Sequence, residues 1–219
     1  MYICAQKIKK MKKIFILFVV LLGLGKITSA QNDPNAKKIL DGVSAKVKTF
    51  KGITASFSIK SITSKGKANG SSTGNISIKG KKYFLKQGRV EIICDAVKTY
   101  RFDGAKTITI ASVEESNQTL SPQNFLSNFY DKDFTYKLIS SNGSFHEIEL
   151  IPNDKRKNFQ KVNIFIDKAK NMITKAKVID KGNNIVEFSL SNLNTNASIA
   201  DNLFIFNRGK YPADAEVLD

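Results

Sequence analysis

Ile53-Thr54-Ala55-Ser56-Phe57-Ser58-Ile59-Lys60 alternates apolar and polar side chains without a break. Successive side chains of an extended strand point to opposite faces, so this period of two predicts a half-buried strand with Ile53, Ala55, Phe57 and Ile59 on one side. Just before it the period is helical. Asp33-Pro34 reads as an N-cap followed by the first helical residue, and Ile39, Leu40, Val43 and Val47 lie one, three and four residues apart. Together they predict one amphipathic helix of about 14 residues.

Toward the C-terminus, Ser61 to Thr73 is rich in Ser, Gly and Lys and reads as a mobile hairpin loop. Strands are predicted at Gly74 to Lys79, Lys82 to Gln87, Val90 to Cys94, Thr99 to Phe102 and Thr107 to Val113, with Asp103-Gly104 as a hairpin turn. Ser121-Pro122 opens a second short helix carrying Phe125, Leu126 and Phe129. Strands follow at Phe134 to Ser140, Phe145 to Ile151, Phe159 to Asp167, Met172 to Asp180 and Ile185 to Ser191, with a short last one at Leu203 to Phe206. About ten strands, two helical segments and no βαβ alternation describe a mainly β fold with helices (α+β), one antiparallel barrel-like sheet. Neither an internal repeat nor a linker divides residues 31–219, which read as a single domain.

The chain has 219 residues and a formal charge of +16, unevenly spread. Six lysines and no acid fall in residues 1–30, so residues 31–219 carry +10. The apolar run Ile14 to Leu24 follows five of those lysines, the small residues Thr28-Ser29-Ala30 come after it, and Met11 opens the compact form. Eleven apolar residues are too few for a hydrocarbon core that needs about 20, so residues 1–30 read as a secretory signal peptide cleaved after Ala30. Cys4 would leave with it. Cys94 would then be the one thiol of the exported chain, in the strand-like run Val90 to Cys94, where a small buried hydrophobe is expected.

Candidate chemistry is thin. Gly70-Ser71-Ser72-Thr73-Gly74 has the letters of a nucleophile elbow, but that motif needs a strand before it and a helix after it, and here the alternating Ile76 and Ile78 follow. The single histidine, His146, sits in the alternating run Phe145 to Leu150 and reads as a solvent-facing strand residue. One histidine and one thiol cannot furnish a zinc shell of the usual type. No enzyme, no metal and no cofactor are expected. Lys79-Gly80-Lys81-Lys82-Tyr83-Phe84 interleaves aromatics with charge, but export argues against nucleic acid, and the lysines are scattered among polar strand positions. Thirteen Phe follow the signal segment. They form either the core of a thin architecture or, in part, the lining of a cavity for an apolar ligand, and pattern does not separate the two.

The order of the pieces resembles the periplasmic outer-membrane lipoprotein carrier family, the LolA-like proteins. Phe50-Lys51-Gly52-Ile53-Thr54-Ala55-Ser56-Phe57 is similar to the family's entry from helix to strand, and Gly74-Asn75-Ile76-Ser77-Ile78-Lys79 to its next strand. Ile148-Glu149-Leu150-Ile151-Pro152 is similar to the strand closing in Leu-x-Pro. Further pieces are Ile164 to Asp167, Met172-Ile173, Val178 to Asp180, Asn183-Asn184, Phe188, and Phe204-Ile205-Phe206 running into Pro212 to Asp219. Two departures stand out. Gly80-Lys81 occupies the place of an Arg-Pro whose arginine helps hold the family's lid, and Asp95-Ala96 replaces an Asp-Gly turn.

The resemblance implies an incomplete β-barrel with a helical lid over an apolar cavity that takes lipoprotein acyl chains. It implies a monomeric periplasmic chaperone whose partners are acylated lipoproteins, an inner-membrane ABC lipoprotein exporter and an outer-membrane acceptor. An envelope sensor or protein-binding module of the same fold is the alternative. The candidate cavity residues are Val47 from the helix, then Phe57, Ile59, Ile76, Ile78, Phe84, Ile92, Tyr100 and Phe102 from the first strands. Phe125, Leu126 and Phe129 come from the second helix, and Ile148, Leu150, Ile164 and Phe188 from the later strands. Phe84 is the foremost, matched by position as well as polarity.

Overall fold

Asp33 sets where the chain turns helical. Its carboxylate accepts the amides of Asn35 and Ala36 at 2.8 and 3.5 Å, and α1 (Pro34–Val47) follows with Pro at its start, as the sequence predicts. The computed structural model describes residues 32–113 and 130–219. The signal segment with its cleavage point after Ala30, and the helix expected from Ser121 with Phe125, Leu126 and Phe129, lie outside the described residues.

After α1 come β1 (Ile53–Ile62), β2 (Ala68–Lys79), β3 (Lys82–Gln87), β4 (Val90–Cys94), β5 (Lys98–Phe102) and β6 (Thr107–Ser112). A short α2 (Tyr130–Asp133) leads into β7 (Phe134–Ser140), β8 (Phe145–Pro152), β9 (Phe159–Asp167), β10 (Met172–Asp180) and β11 (Ile185–Asn194). The tail forms 3₁₀ turns at Asp201–Phe204 and Arg208–Lys210 and ends in β12 (Glu216–Leu218). All twelve strands join one sheet in the order β12-β6-β5-β4-β3-β2-β1-β11-β10-β9-β8-β7. Two meanders are thus zipped together by the antiparallel β1–β11 pair, and only β12, beside β6, runs parallel to its neighbour. The sheet is open, since β7 and β12 end it.

The β7 edge is closed by the residues that start α1. Asn32 Oδ1 accepts the Tyr136 amide at 2.9 Å, Asp33 Oδ2 accepts the Leu138 amide at 2.9 Å, and the Asp33 amide donates to the Tyr136 carbonyl at 3.2 Å. One aspartate thereby caps a helix and blocks a strand edge that would otherwise offer unpaired amides.

Two expectations need correction. Residues 68–73 are strand, not loop: Ser71, Ser72 and Thr73 pair with Lys60, Ile59 and Ser58. Ladder hydrogen bonds hold that extension although its side chains are polar and largely exposed. Leu203 to Phe206 is not a strand, because the chain there turns through a 3₁₀ helix that sets Phe204, 1% exposed, into the core. The sequence pattern also does not announce β12, a three-residue strand at the very end that runs parallel to β6.

Candidate ligand-binding face

Strand register sorts the apolar side chains into two faces. On the inner face, which α1 covers in part, Ile148 pairs with Ile164, Ile164 with Ala176, Ala176 with Phe188, and Phe188 with Ile59. The row continues through the partners Phe57–Gly74, Ala55–Ile76, Ile76–Leu85 and Leu85–Ile92. Ala36, Leu40 and Val43 of α1 pack with Ile148, Leu150, Val162, Ile164 and Ile166 into one cluster. A second cluster gathers Ile53, Ala55, Phe57, Ile76, Ile78, Tyr83 and Cys94. Phe188 touches both, stacking on Phe57 at a ring separation of 6.1 Å.

Burial differs between the clusters. Both clusters are buried at their centres, with Ile148, Leu150 and Ile164 at 0% and Phe57 at 2% exposed, but among the described residues eight partly buried apolar residues border the second, Ile59, Leu85, Ile92 and Leu190 among them, against five for the first. Gly74 is needed here because a Cβ at that position would overlap the Phe57 ring and the Lys86 carbonyl. The glycine that opens the strand motif therefore makes room for the central aromatic of the face.

Of the residues predicted to line a cavity, Phe57, Ile59, Ile76, Ile78, Ile92 and Phe188 meet on the inner face of the second cluster. Ile148, Leu150 and Ile164 share that face but form the sealed core beneath α1, with Val47 packed against it. Phe84, Tyr100 and Phe102 require correction. Phe84 pairs with Ser77 and Ile93, one residue out of phase with the Ile78–Tyr83 and Ile76–Leu85 pairs, so it belongs to the outer face. Tyr100 and Phe102 share that side and are covered by the tail. Tyr100 stacks on Phe206 at 4.5 Å, Phe102 meets Tyr211 at 5.0 Å, and the Tyr211 hydroxyl donates to Glu91 at 3.4 Å. Arg208 pins the tail by donating to the carbonyls of Tyr211, Pro212, Ala213 and Ala215 at 2.7–3.4 Å.

Leu85, Leu190 and Tyr83 also belong to the inner face, although sequence reasoning does not select them. The available signal is the pairing of Leu85 with Ile76, but three successive apolar residues, Tyr83-Phe84-Leu85, hide the phase of the strand.

The remaining candidates do not assemble reactive chemistry. Ser71 and Ser72 lie in mid-strand on β2, while His146 is on β8, far along the strand order. His146 is half-buried instead of fully solvent-facing, with Nδ1 2.7 Å from Ser141 Oγ. Burial, with help from Lys168, lowers its pKa. Cys94 is fully buried and burial pushes its thiol pKa up, which makes it inert as a nucleophile. Burial likewise pushes the Tyr83 hydroxyl up to about 12. Among the described residues, no group of three His, Cys, Asp or Glu is placed to hold a metal ion.

The model of the family described as outer membrane lipoprotein carrier protein LolA matches residues 48–207. No curated protein matches the chain. Among solved structures, an uncharacterized conserved protein from Thermus thermophilus is similar at TM-score 0.54 and 10% identity, over 84% of this chain and 98% of that one. A LolA superfamily protein from Nitrosomonas europaea has a TM-score of 0.45 at 13% identity, over 78% and 97%. The Pseudomonas aeruginosa MucA/MucB complex has a TM-score of 0.45 at 13% identity, over 79% and 61%.

Proposed function

The chain belongs to the outer membrane lipoprotein carrier protein LolA family, and from that membership we propose that it is a periplasmic chaperone for acylated lipoproteins. The observation that carries this reading is the continuity of the inner face. A sealed apolar cluster under α1 passes through Phe188 into a row of half-buried apolar side chains, Ile59, Leu85, Ile92 and Leu190. Acyl chains lie against that row. Each buried CH₂ contributes about 0.8 kcal/mol, and a bilayer offers the chains the same gain, so a carrier must bind well yet reversibly. Partial burial meets that need, because a ligand covers apolar surface without first displacing a packed core.

On this reading residues 1–30 direct export, an inner-membrane ABC exporter loads the protein, and an outer-membrane acceptor unloads it. No covalent step, metal or cofactor enters, so the protein is not an enzyme. Binding of a fluorescent fatty-acyl probe tests the assignment. Leu85→Glu puts a carboxylate on the inner row and is expected to weaken binding at least about tenfold, because an ionised carboxyl beside alkyl chain is costly. Phe84→Glu, one residue away on the outer face, is expected to bind within about twofold of wild type, since its contacts lie across the sheet from the ligand. The reverse ranking would overturn the assignment.

A further inference from the structure

On the outer face, where β1, β11, β10 and β9 lie side by side, there is a groove of about 470 Å³. Next to it, Glu149 accepts Lys137 and Lys161 at 3.2 and 3.0 Å, while Glu147, the cross-strand neighbour of Phe165, accepts Asn163 at 2.8 Å. In the groove the acids run out. Lys175 has Phe165 and Ser189 as its cross-strand partners, and its ammonium lies 4.7 Å over the Phe145 ring instead of beside a carboxylate. Glu187 is the one acid in the lining, and it is taken by Lys177 at 3.1 Å. Lys60, next to Glu187 in register, is left exposed. At the floor the hydroxyls of Ser58 and Ser189 meet at 2.7 Å.

Two unbalanced ammonium groups, a hydroxyl pair and two aromatic rings define the occupant chemically. Ammonium and hydroxyl groups suit a phosphate ester, and the rings of Phe145 and Phe165 suit the carbon skeleton next to it. The depression has the volume of a single small-molecule site and not of an extended peptide track. We propose that this groove binds the phosphate headgroup of an anionic phospholipid, so that the carrier touches membranes by a face distinct from the one that holds acyl chains. Juxtamembrane lysines attract anionic bilayers individually and cumulatively, which fits a chain that keeps a net +10 over residues 31–219. The contrast between the two faces rests on the acyl-binding reading, whereas headgroup binding by the groove does not.

Co-sedimentation of the exported protein with phosphatidylglycerol vesicles, and with phosphatidylcholine vesicles, tests the proposal. Wild type is expected to favour phosphatidylglycerol. Lys60→Gln/Lys175→Gln is expected to lower that binding on the order of tenfold, and Lys51→Gln/Lys210→Gln, which removes the same charge elsewhere, by less than about twofold. Millimolar glycerol 3-phosphate is expected to compete with the vesicles, and acyl-probe binding by the groove variant to stay at the wild-type level. Equal losses in the two double variants would reduce the effect to net charge and overturn the site. Failure of glycerol 3-phosphate to compete would overturn phosphate recognition. Displacement by an acidic peptide alone would assign the groove to protein.

Discussion

The β7–β10 half of the sheet and the β1–β6 half are built from similar strands but solve the burial problem differently. Under α1, one face of β7–β10 is sealed with aliphatic and aromatic side chains, and the other carries charges that pair across strands, as in Lys137–Glu149–Lys161. In β3 and β4 both faces carry apolar side chains, as Leu85 and Ile92 on one and Phe84 and Ile93 on the other. The tail covers the outer one with Phe206 and Tyr211, while the inner one keeps half-buried residues such as Leu85 and Ile92. The first half is sealed, and the second keeps half-buried apolar surface, which the proposed acyl ligand would complete.

Substitutions break this contrast in a definite order. Leu150→Ala, in the fully sealed half, is expected to cost about 2–5 kcal/mol in denaturant unfolding through a cavity that α1 cannot collapse into. Gly74→Ala should follow at about 1–3 kcal/mol, because its Cβ forces the Phe57 ring or the Lys86 carbonyl aside. Equal stability in that variant would mean that the second cluster is already loose. Asp33→Ala removes a helix cap and an edge contact together, and should cost about 1–2 kcal/mol with α1 losing amide-exchange protection first.

The same aspartate gives a pH signature. Hydrogen bonds from the backbone of Leu138 above all, then of Asn35, hold its carboxyl pKa below the usual 3.8. A depressed folded-state pKa stabilises above the unfolded value and loses that contribution as pH falls through the folded one. Unfolding midpoints should therefore fall on acidification below about pH 4, and Asp33→Asn should flatten that dependence. The smallest expected effect is a gain. Ala96 has φ +85° where glycine is the residue at ease, so Ala96→Gly should stabilise by up to about 1 kcal/mol.

How much is legible in the sequence follows from the same contrast. Where one face is wet, alternation is clean: Ile148, Leu150, Val162 and Ile164 can be placed from their spacing, and Asp33-Pro34 marks the start of α1. Where both faces are covered, Tyr83-Phe84-Leu85 and Val90 to Cys94 read as continuous apolar runs and their phase is invisible. Phe84, Tyr100 and Phe102 consequently fall on the wrong side when polarity alone assigns them. Placing the tail on the outer face requires knowing that Phe206 stacks on Tyr100 and does not enter a strand of its own.

Native mass spectrometry of the protein purified from the cell envelope, with lipid extraction alongside, tests the central claim most directly. The account predicts acylated species retained by the wild type and lost from Leu85→Glu, while Phe84→Glu keeps them. Acyl-free wild-type protein in a stable complex with an unacylated protein partner would contradict it.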